Sequence, residues 1–121
     1  MKSDYIEILG IRAKGFHGVF EEERRNGQDF VVDVRLYLSL SPASKHDDVS
    51  QTVNYAEVAT LIENHIKGEA VNLIEALAER IAQACLNFER VESVQVKVHK
   101  PQAPIAVDFA DVSVCINRKK S

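Results

Sequence analysis

The alternation between residues 30 and 40 constrains this chain more than any other stretch. Phe30, Val32, Val34, Leu36, Leu38 and Leu40 share one parity, and Val31, Asp33, Arg35, Tyr37 and Ser39 take the other. Successive side chains on a strand point to opposite faces, so this segment reads as a strand with one buried and one mostly polar face. Val94, Val96 and Val98, within a third strand over residues 91–100, repeat the pattern, with Gln95, Lys97 and His99 between them. One-sided strands of this kind suit an antiparallel sheet that is covered on a single face.

The remaining elements fit around that sheet. Residues 5–14 read as a strand with a break in phase: Ile6 and Ile8 share a parity that Leu9, Ile11 and Ala13 do not, which predicts a bulge beside Gly10. The connection over residues 15–27 is too long for a tight hairpin, and long connections without structure of their own tend to be functional. Two helices are expected next, each opened by asparagine with glutamate three residues on, Asn54 with Glu57 and Asn72 with Glu75. Val58, Leu61, Ile62 and Ile66 stripe the first helix, which stops at Gly68; Leu73, Leu77, Ile81, Cys85 and Phe88 stripe the second. Val112, Val114 and Ile116 mark a fourth strand. The order is β-β-α-α-β-β: an α+β fold with a four-stranded antiparallel sheet and two helices on one face.

With 121 residues this is expected to be one domain, residues 1–121. The net charge of −3, with both signs interspersed, argues against a nucleic-acid or anionic-membrane surface. No apolar run approaches membrane-spanning length, and the first residues lead straight into a strand-like pattern rather than a signal peptide. Cys85 and Cys115 lack metal-binding or redox spacing and read as reduced core residues of a cytoplasmic protein. The polar sheet face and two free sheet edges remain to be accounted for; closing several copies into a ring would pair the edges and give the polar faces a wet interior.

Chemistry has few places to sit. There is no glycine-rich phosphate loop, no G-x-S-x-G and no metal-ligand cluster, and His17, His46, His65 and His99 read as surface or core histidines. His65, spaced with Leu61 and Ile62, is expected to be partly buried. Glu21, Glu22 and Glu23 read as a solvated loop cluster, Asp47 and Asp48 as turn residues, Glu75 as half of a capping box, and Tyr55 as a packing anchor. Lys100 stands apart. It shares the parity of Val94, Val96 and Val98, so at the strand end before Pro101 it points to the apolar side. Either its stem snorkels to water or its ammonium loses hydration and becomes a better proton acceptor.

Several segments recur together in the right order: Gly15-Phe16-His17-Gly18-Val19; residues 27–34; Asp48-Val49 leading to Asn54-Tyr55-Ala56-Glu57-Val58; residues 72–78; and Val98-His99-Lys100-Pro101 with Ala103-Pro104-Ile105. From Ile8 to Ile116 the chain resembles the dihydroneopterin aldolase family. That resemblance implies the tunnelling fold and a homo-octamer of two stacked tetrameric rings. It implies a small-molecule dihydropterin substrate, cleaved by retro-aldol chemistry to 6-hydroxymethyl-7,8-dihydropterin and glycolaldehyde in tetrahydrofolate biosynthesis, with epimerisation to 7,8-dihydromonapterin alongside. No cofactor or metal is implied. By the same resemblance Glu75 anchors the pterin, backbone groups around Leu73 and Ile74 hold its neighbouring edge, and Val53 and Asn54 flank it. Lys100 is the general base and acid, Tyr55 the second proton-transfer residue, and Glu23 a polar contact near the lysine and the side-chain hydroxyls. The family frequently has histidine where this chain has Asn54. Two alternatives are an epimerase acting on the triphosphate, which would need more converging cations than this chain offers near Lys100, and a non-catalytic pterin-binding ring.

Overall fold

The computed structural model describes residues 4–121. In chain order the elements are β1 (Tyr5–Gly15), α1 (Glu21–Asn26), β2 (Gln28–Tyr37), α2 (Ser41–His46), a single 3₁₀ turn (Val49–Gln51), α3 (Tyr55–Lys67), α4 (Ile74–Leu86), β3 (Ser93–His99) and β4 (Ser113–Lys119). The strands form one antiparallel sheet in the order β1-β2-β3-β4, so β1 and β4 are its edges.

Register follows the alternation. Ile8, Val34, Val96 and Ile116 line up across the four strands, as do Ile11, Val32, Val98 and Val114. These residues face α3 and α4, whose Val58, Ile62, Ile66, Leu77, Ile81 and Cys85 complete a core in which Phe30, Leu36 and Val94 are also buried. The phase break in β1 is a bulge between Ile8 and Ile11. Gly10 sits there at φ +74°, and its N–H donates to the Asp33 carboxylate at 2.8 Å. The opposite face carries polar pairs, including Arg35 with Glu7 at 2.7 Å and Gln95 with Asn117 at 3.3 Å.

Several expectations need correction. The long β1–β2 connection holds a short helix, α1, and Glu23 within it is buried, so Glu21, Glu22 and Glu23 are not a uniformly solvated loop. The strand at residues 30–40 ends at Tyr37, because the chain turns there into α2; Leu38 nonetheless packs into the core. Asn54 caps α3 as expected, accepting from the Ala56 N–H at 3.0 Å. Asn72 does not cap α4. Its side-chain oxygen is taken by the Arg24 guanidinium, the helix starts one residue later with Leu73 at its cap, and Glu75 stands exposed in the first turn. Cys85 is a core thiol, its pKa pushed up to about 12 by burial, whereas Cys115 is exposed on the polar face of β4. His65 is half-buried as expected, and Asp47 and Asp48 cap the turns around the 3₁₀ segment.

Candidate active site

The site is built at the end of the sheet where β1 finishes, β2 begins and β3 stops. Lys100, the first residue past β3, keeps the inward parity set by Val98, and its ammonium does not escape to water. Its Nζ lies 2.6 Å from Oε2 of Glu23, and the two side chains are 14% and 6% exposed. A charge this far from solvent is costly unless paired, and α1 supplies the partner. Glu23 is in turn fully engaged. Oε2 also accepts from Gln28 Nε2 at 2.9 Å, and Oε1 accepts from the Phe20 N–H at 3.2 Å, which steadies the first turn of α1. Burial alone would raise the Glu23 carboxyl, but the Lys100 and Gln28 side chains and the Phe20 N–H together hold its pKa below the ordinary value.

Two residues that sequence reasoning left without a role make this geometry possible. Gly18 has φ +148°, and a Cβ there would run into the Glu23 carboxylate; only glycine leaves room for the pair. His17 is 1% exposed and rivets the loop to the helices. Its Nε2–H donates to the Ile66 carbonyl at 2.8 Å while Nδ1 accepts from the Val71 N–H at 3.1 Å, so it is neutral, with its tautomer set by its two partners. Burial lowers its pKa, and the Arg24, Arg80 and Lys100 charges add to that. Gly18 N–H donates to the Val71 carbonyl at 2.9 Å, and Arg24 Nε donates to the Gly18 carbonyl at 2.8 Å. Gln28 and Gly18 lay inside the segments that carried the family resemblance, which was their one sequence-level signal.

These bonds bring the start of α4 next to the lysine–carboxylate pair. Leu73, at the helix cap, is 53% exposed, and Ile74 and Glu75 occupy the first turn beside it. Phe20, Arg25 and Pro104 line a depression next to Glu23. The other group of expected site residues lies elsewhere. Val53, Asn54 and Tyr55 sit at the opposite end of α3, where Val53 and Asn54 line a depression with Phe88, two residues past the end of α4. Ile66, next to the end of α3, is the residue bonded to His17. Eleven residues of helix separate it from Tyr55, about 16 Å at the α-helical rise. Tyr55 is 63% exposed.

The site thus places a buried lysine–carboxylate pair at the end of an open-edged antiparallel sheet that α3 and α4 cover on one face, and the sheet and helices are those of the tunnelling fold, which the solved relatives below share. Residues 6–117 match the family model described as "FolB: Dihydroneopterin aldolase". The dihydroneopterin aldolase of Streptomyces coelicolor is 51% identical over 117 residues, covering 97% of this chain and 98% of that protein. That of Bacillus subtilis is 44% identical over 119 residues, covering 98% and 99%. The crystal structure of E. coli dihydroneopterin aldolase in complex with neopterin superposes with a TM-score of 0.86 at 30% identity, covering 95% of this chain and 98% of that one. The chain belongs to the dihydroneopterin aldolase family.

Proposed function

We propose that Lys100 and Tyr55 carry the proton transfers of a dihydroneopterin aldolase, with Glu75 holding the pterin. The observation that carries this reading is the buried Lys100–Glu23 pair, set beside the exposed first turn of α4. Glu75, unengaged by the capping arrangement, can accept two parallel hydrogen bonds from a pterin's 2-amino group and adjacent ring N–H. Leu73 and Ile74 offer backbone groups to the neighbouring edge of the ring. The structure of the E. coli relative is of a complex with neopterin, a ligand of the class that this division of labour would hold.

Acting as the neutral amine, after its ammonium proton has passed to the adjoining Glu23 carboxylate, Lys100 takes through a water the proton of the second side-chain hydroxyl of 7,8-dihydroneopterin. The bond between the first and second side-chain carbons then breaks and glycolaldehyde leaves. The electron pair moves into the C=N of the dihydropterin ring, so the substrate is its own electron sink and no Schiff base is required. Tyr55, with a water, returns a proton to the enol-like intermediate to give 6-hydroxymethyl-7,8-dihydropterin. Re-closure on the other face yields 7,8-dihydromonapterin. Glu23 orients the lysine and meets the side-chain hydroxyls.

Because Tyr55 lies about 16 Å along α3 from Ile66, whose carbonyl holds His17 in the loop leading to α1 and Glu23, each site takes Tyr55, with Val53 and Asn54, from one subunit and Glu23, Glu75 and Lys100 from the next. A ring that joins sheet edges supplies that neighbour, and two stacked tetrameric rings make the octamer. Exposed apolar side chains on both surfaces, Phe20 and Leu73 on one and Val49 and Tyr55 on the other, support such a contact. The free thiols of Cys85 and Cys115 fit a cytoplasmic home.

A triphosphate substrate is disfavoured by the cations themselves. Arg24 is spent on Gly18 and Asn72, and Arg25 pairs with Glu21 at 2.6 Å. Incubation with 7,8-dihydroneopterin should release glycolaldehyde and 6-hydroxymethyl-7,8-dihydropterin, with little turnover of the triphosphate. Binding without glycolaldehyde release would leave a pterin-binding ring instead.

A further inference from the structure

On the polar face of the sheet, away from Glu23, the residue before Lys100 makes a second ionic arrangement. His99 Nε2 lies 2.7 Å from Oδ2 of Asp33 on β2, and His99 Nδ1 lies 2.6 Å from Oδ2 of Asp111, which precedes β4. A neutral imidazole has one N–H, so it can satisfy one carboxylate while its bare nitrogen repels the other. Both contacts are attractive when both nitrogens carry protons. The side chain is 18% exposed, which limits the competition from water.

The bonds sit where the chain leaves and re-enters the sheet. Lys100 N–H donates to the Val112 carbonyl at 2.8 Å, so His99–Asp111 and Lys100–Val112 are consecutive stitches closing the loop 101–112. Inside the loop, Ala103 N–H donates to the Lys100 carbonyl at 3.1 Å, and Gln102 accepts from the Asp29 N–H at 3.0 Å. Asp33 is itself held by the bulge, through the Gly10 N–H. A rigid chain of bonds thus runs from β1 through Asp33 and His99 to the backbone of Lys100.

We propose that His99, held as an imidazolium between Asp33 and Asp111, is a positioning residue that closes the loop 101–112 and fixes Lys100 against Glu23. The proposal rests on the proton-transfer role assigned to Lys100. Burial works against the charged imidazole, yet the Asp111 and Asp33 carboxylates outweigh it and raise the pKa above its ordinary value. The charged groups around His99 are Asp33 on β2, Asp111 before β4, Lys97 along β3 on the same face, and Arg12 on β1. Arg12 lies 3.5 Å from Asp29, and β4 places the uncharged Ser113 opposite His99. The clamp is therefore closed while both ring nitrogens carry protons and opens as pH rises through the raised His99 titration.

Nitrogen-detected NMR of the imidazole, amide exchange at Lys100 and steady-state kinetics test this on the whole enzyme and on Asp111→Asn, a change at a partly exposed side chain. In the wild type both ring nitrogens should be protonated at pH 7. In Asp111→Asn the His99 titration should move to lower pH, and the Lys100 amide should exchange at least about tenfold faster. Turnover should fall about 10–100-fold, the effect of a misplaced catalytic group, while KM stays within about twofold because the pterin anchor is elsewhere. An unmoved His99 titration or an equally protected Lys100 amide overturns the clamp, and a loosened loop with unchanged turnover overturns the positioning role. Lys100→Met, measured alongside, separates the two layers. If that variant retains turnover, the proton-transfer reading fails and takes the positioning role with it, while the NMR and exchange signals still report the clamp.

Discussion

In the proposed mechanism Glu75 binds and Lys100 does the chemistry, and single substitutions should separate them. Glu75→Ala should weaken pterin binding at least about thirtyfold, the lower end for breaking a buried charged pair; a titration with unchanged affinity would remove Glu75 from the anchor role. Lys100→Ala should keep pterin affinity but lower turnover about 10²–10⁴-fold, the span for a positioned acid–base group. No borohydride-trapped adduct should form on the wild type, since the proposed mechanism uses no Schiff base. His17 acts on stability instead. Its folded pKa is depressed, so below about pH 6.5 the unfolded chain binds a proton that the native one refuses. Stability should therefore fall as pH drops from 6.5, by up to about 1.4 kcal/mol per pH unit, before Glu23 and Asp33, whose pKa values are depressed, begin to titrate at lower pH. His99 acts oppositely: its stabilisation is complete below its unfolded pKa and is lost as pH rises through the raised folded value. His17→Gln offers a donor and an acceptor without the titration, and denaturant melts of that variant should be flatter between pH 6.5 and 5. An unchanged slope would locate the effect in another group.

At the scale of the element, α1 is the least self-sufficient piece of the fold that the site depends on. Six residues do not make a stable helix in isolation, since nucleation costs more than so few hydrogen bonds return. Its order comes from Glu23 reaching the Phe20 N–H, Gln28 and Lys100, and from Arg24 bridging to Gly18 and Asn72. Gly18 is where this arrangement is most vulnerable. Gly18→Ala puts a methyl group against the Glu23 carboxylate and places a non-glycine residue in an unfavourable backbone region. The variant should lose about 1–3 kcal/mol of stability and most of its turnover, whereas Val19→Ala, at an exposed neighbour, should be near neutral. Equal thermal stability and activity of Gly18→Ala and wild type would show that the loop can relax away from the pair.

Across the whole molecule, the proposed sharing of each site between subunits would make assembly a condition of catalysis rather than an accessory. Tyr55→Phe and Lys100→Ala should each be nearly inactive alone. Unfolded together in equal amounts and refolded as mixed rings, they should recover about a quarter of wild-type sites, the chance that one head-to-tail interface receives both intact halves. Rings refolded separately and then combined should stay inactive until subunits exchange. Mixed rings no more active than the parents would mean that Tyr55 and Lys100 serve the same subunit's pocket.

The alternation at residues 30–40 and at Val94, Val96 and Val98 determined the sheet, its buried face and the inward aim of Lys100, because a period of two leaves a strand no other way to bury its apolar side. The same local rules placed the bulge at Gly10, the Asn54 cap and the core stripe of α3. They failed at Asn72 and at Glu23 for one physical reason: each of those fates depends on a residue far away in the chain, since Arg24 competes for Asn72 and Lys100 draws Glu23 out of solvent. Cys115 is different, because its parity opposite Val114 and Ile116 already puts it on the polar face, and reading it as a core residue went against the alternation itself. Propensity and pattern report what a segment favours by itself. The pairing of two charges 77 positions apart in the chain, and the length of α3 that sets Tyr55 away from them, exist only once the tertiary structure has formed.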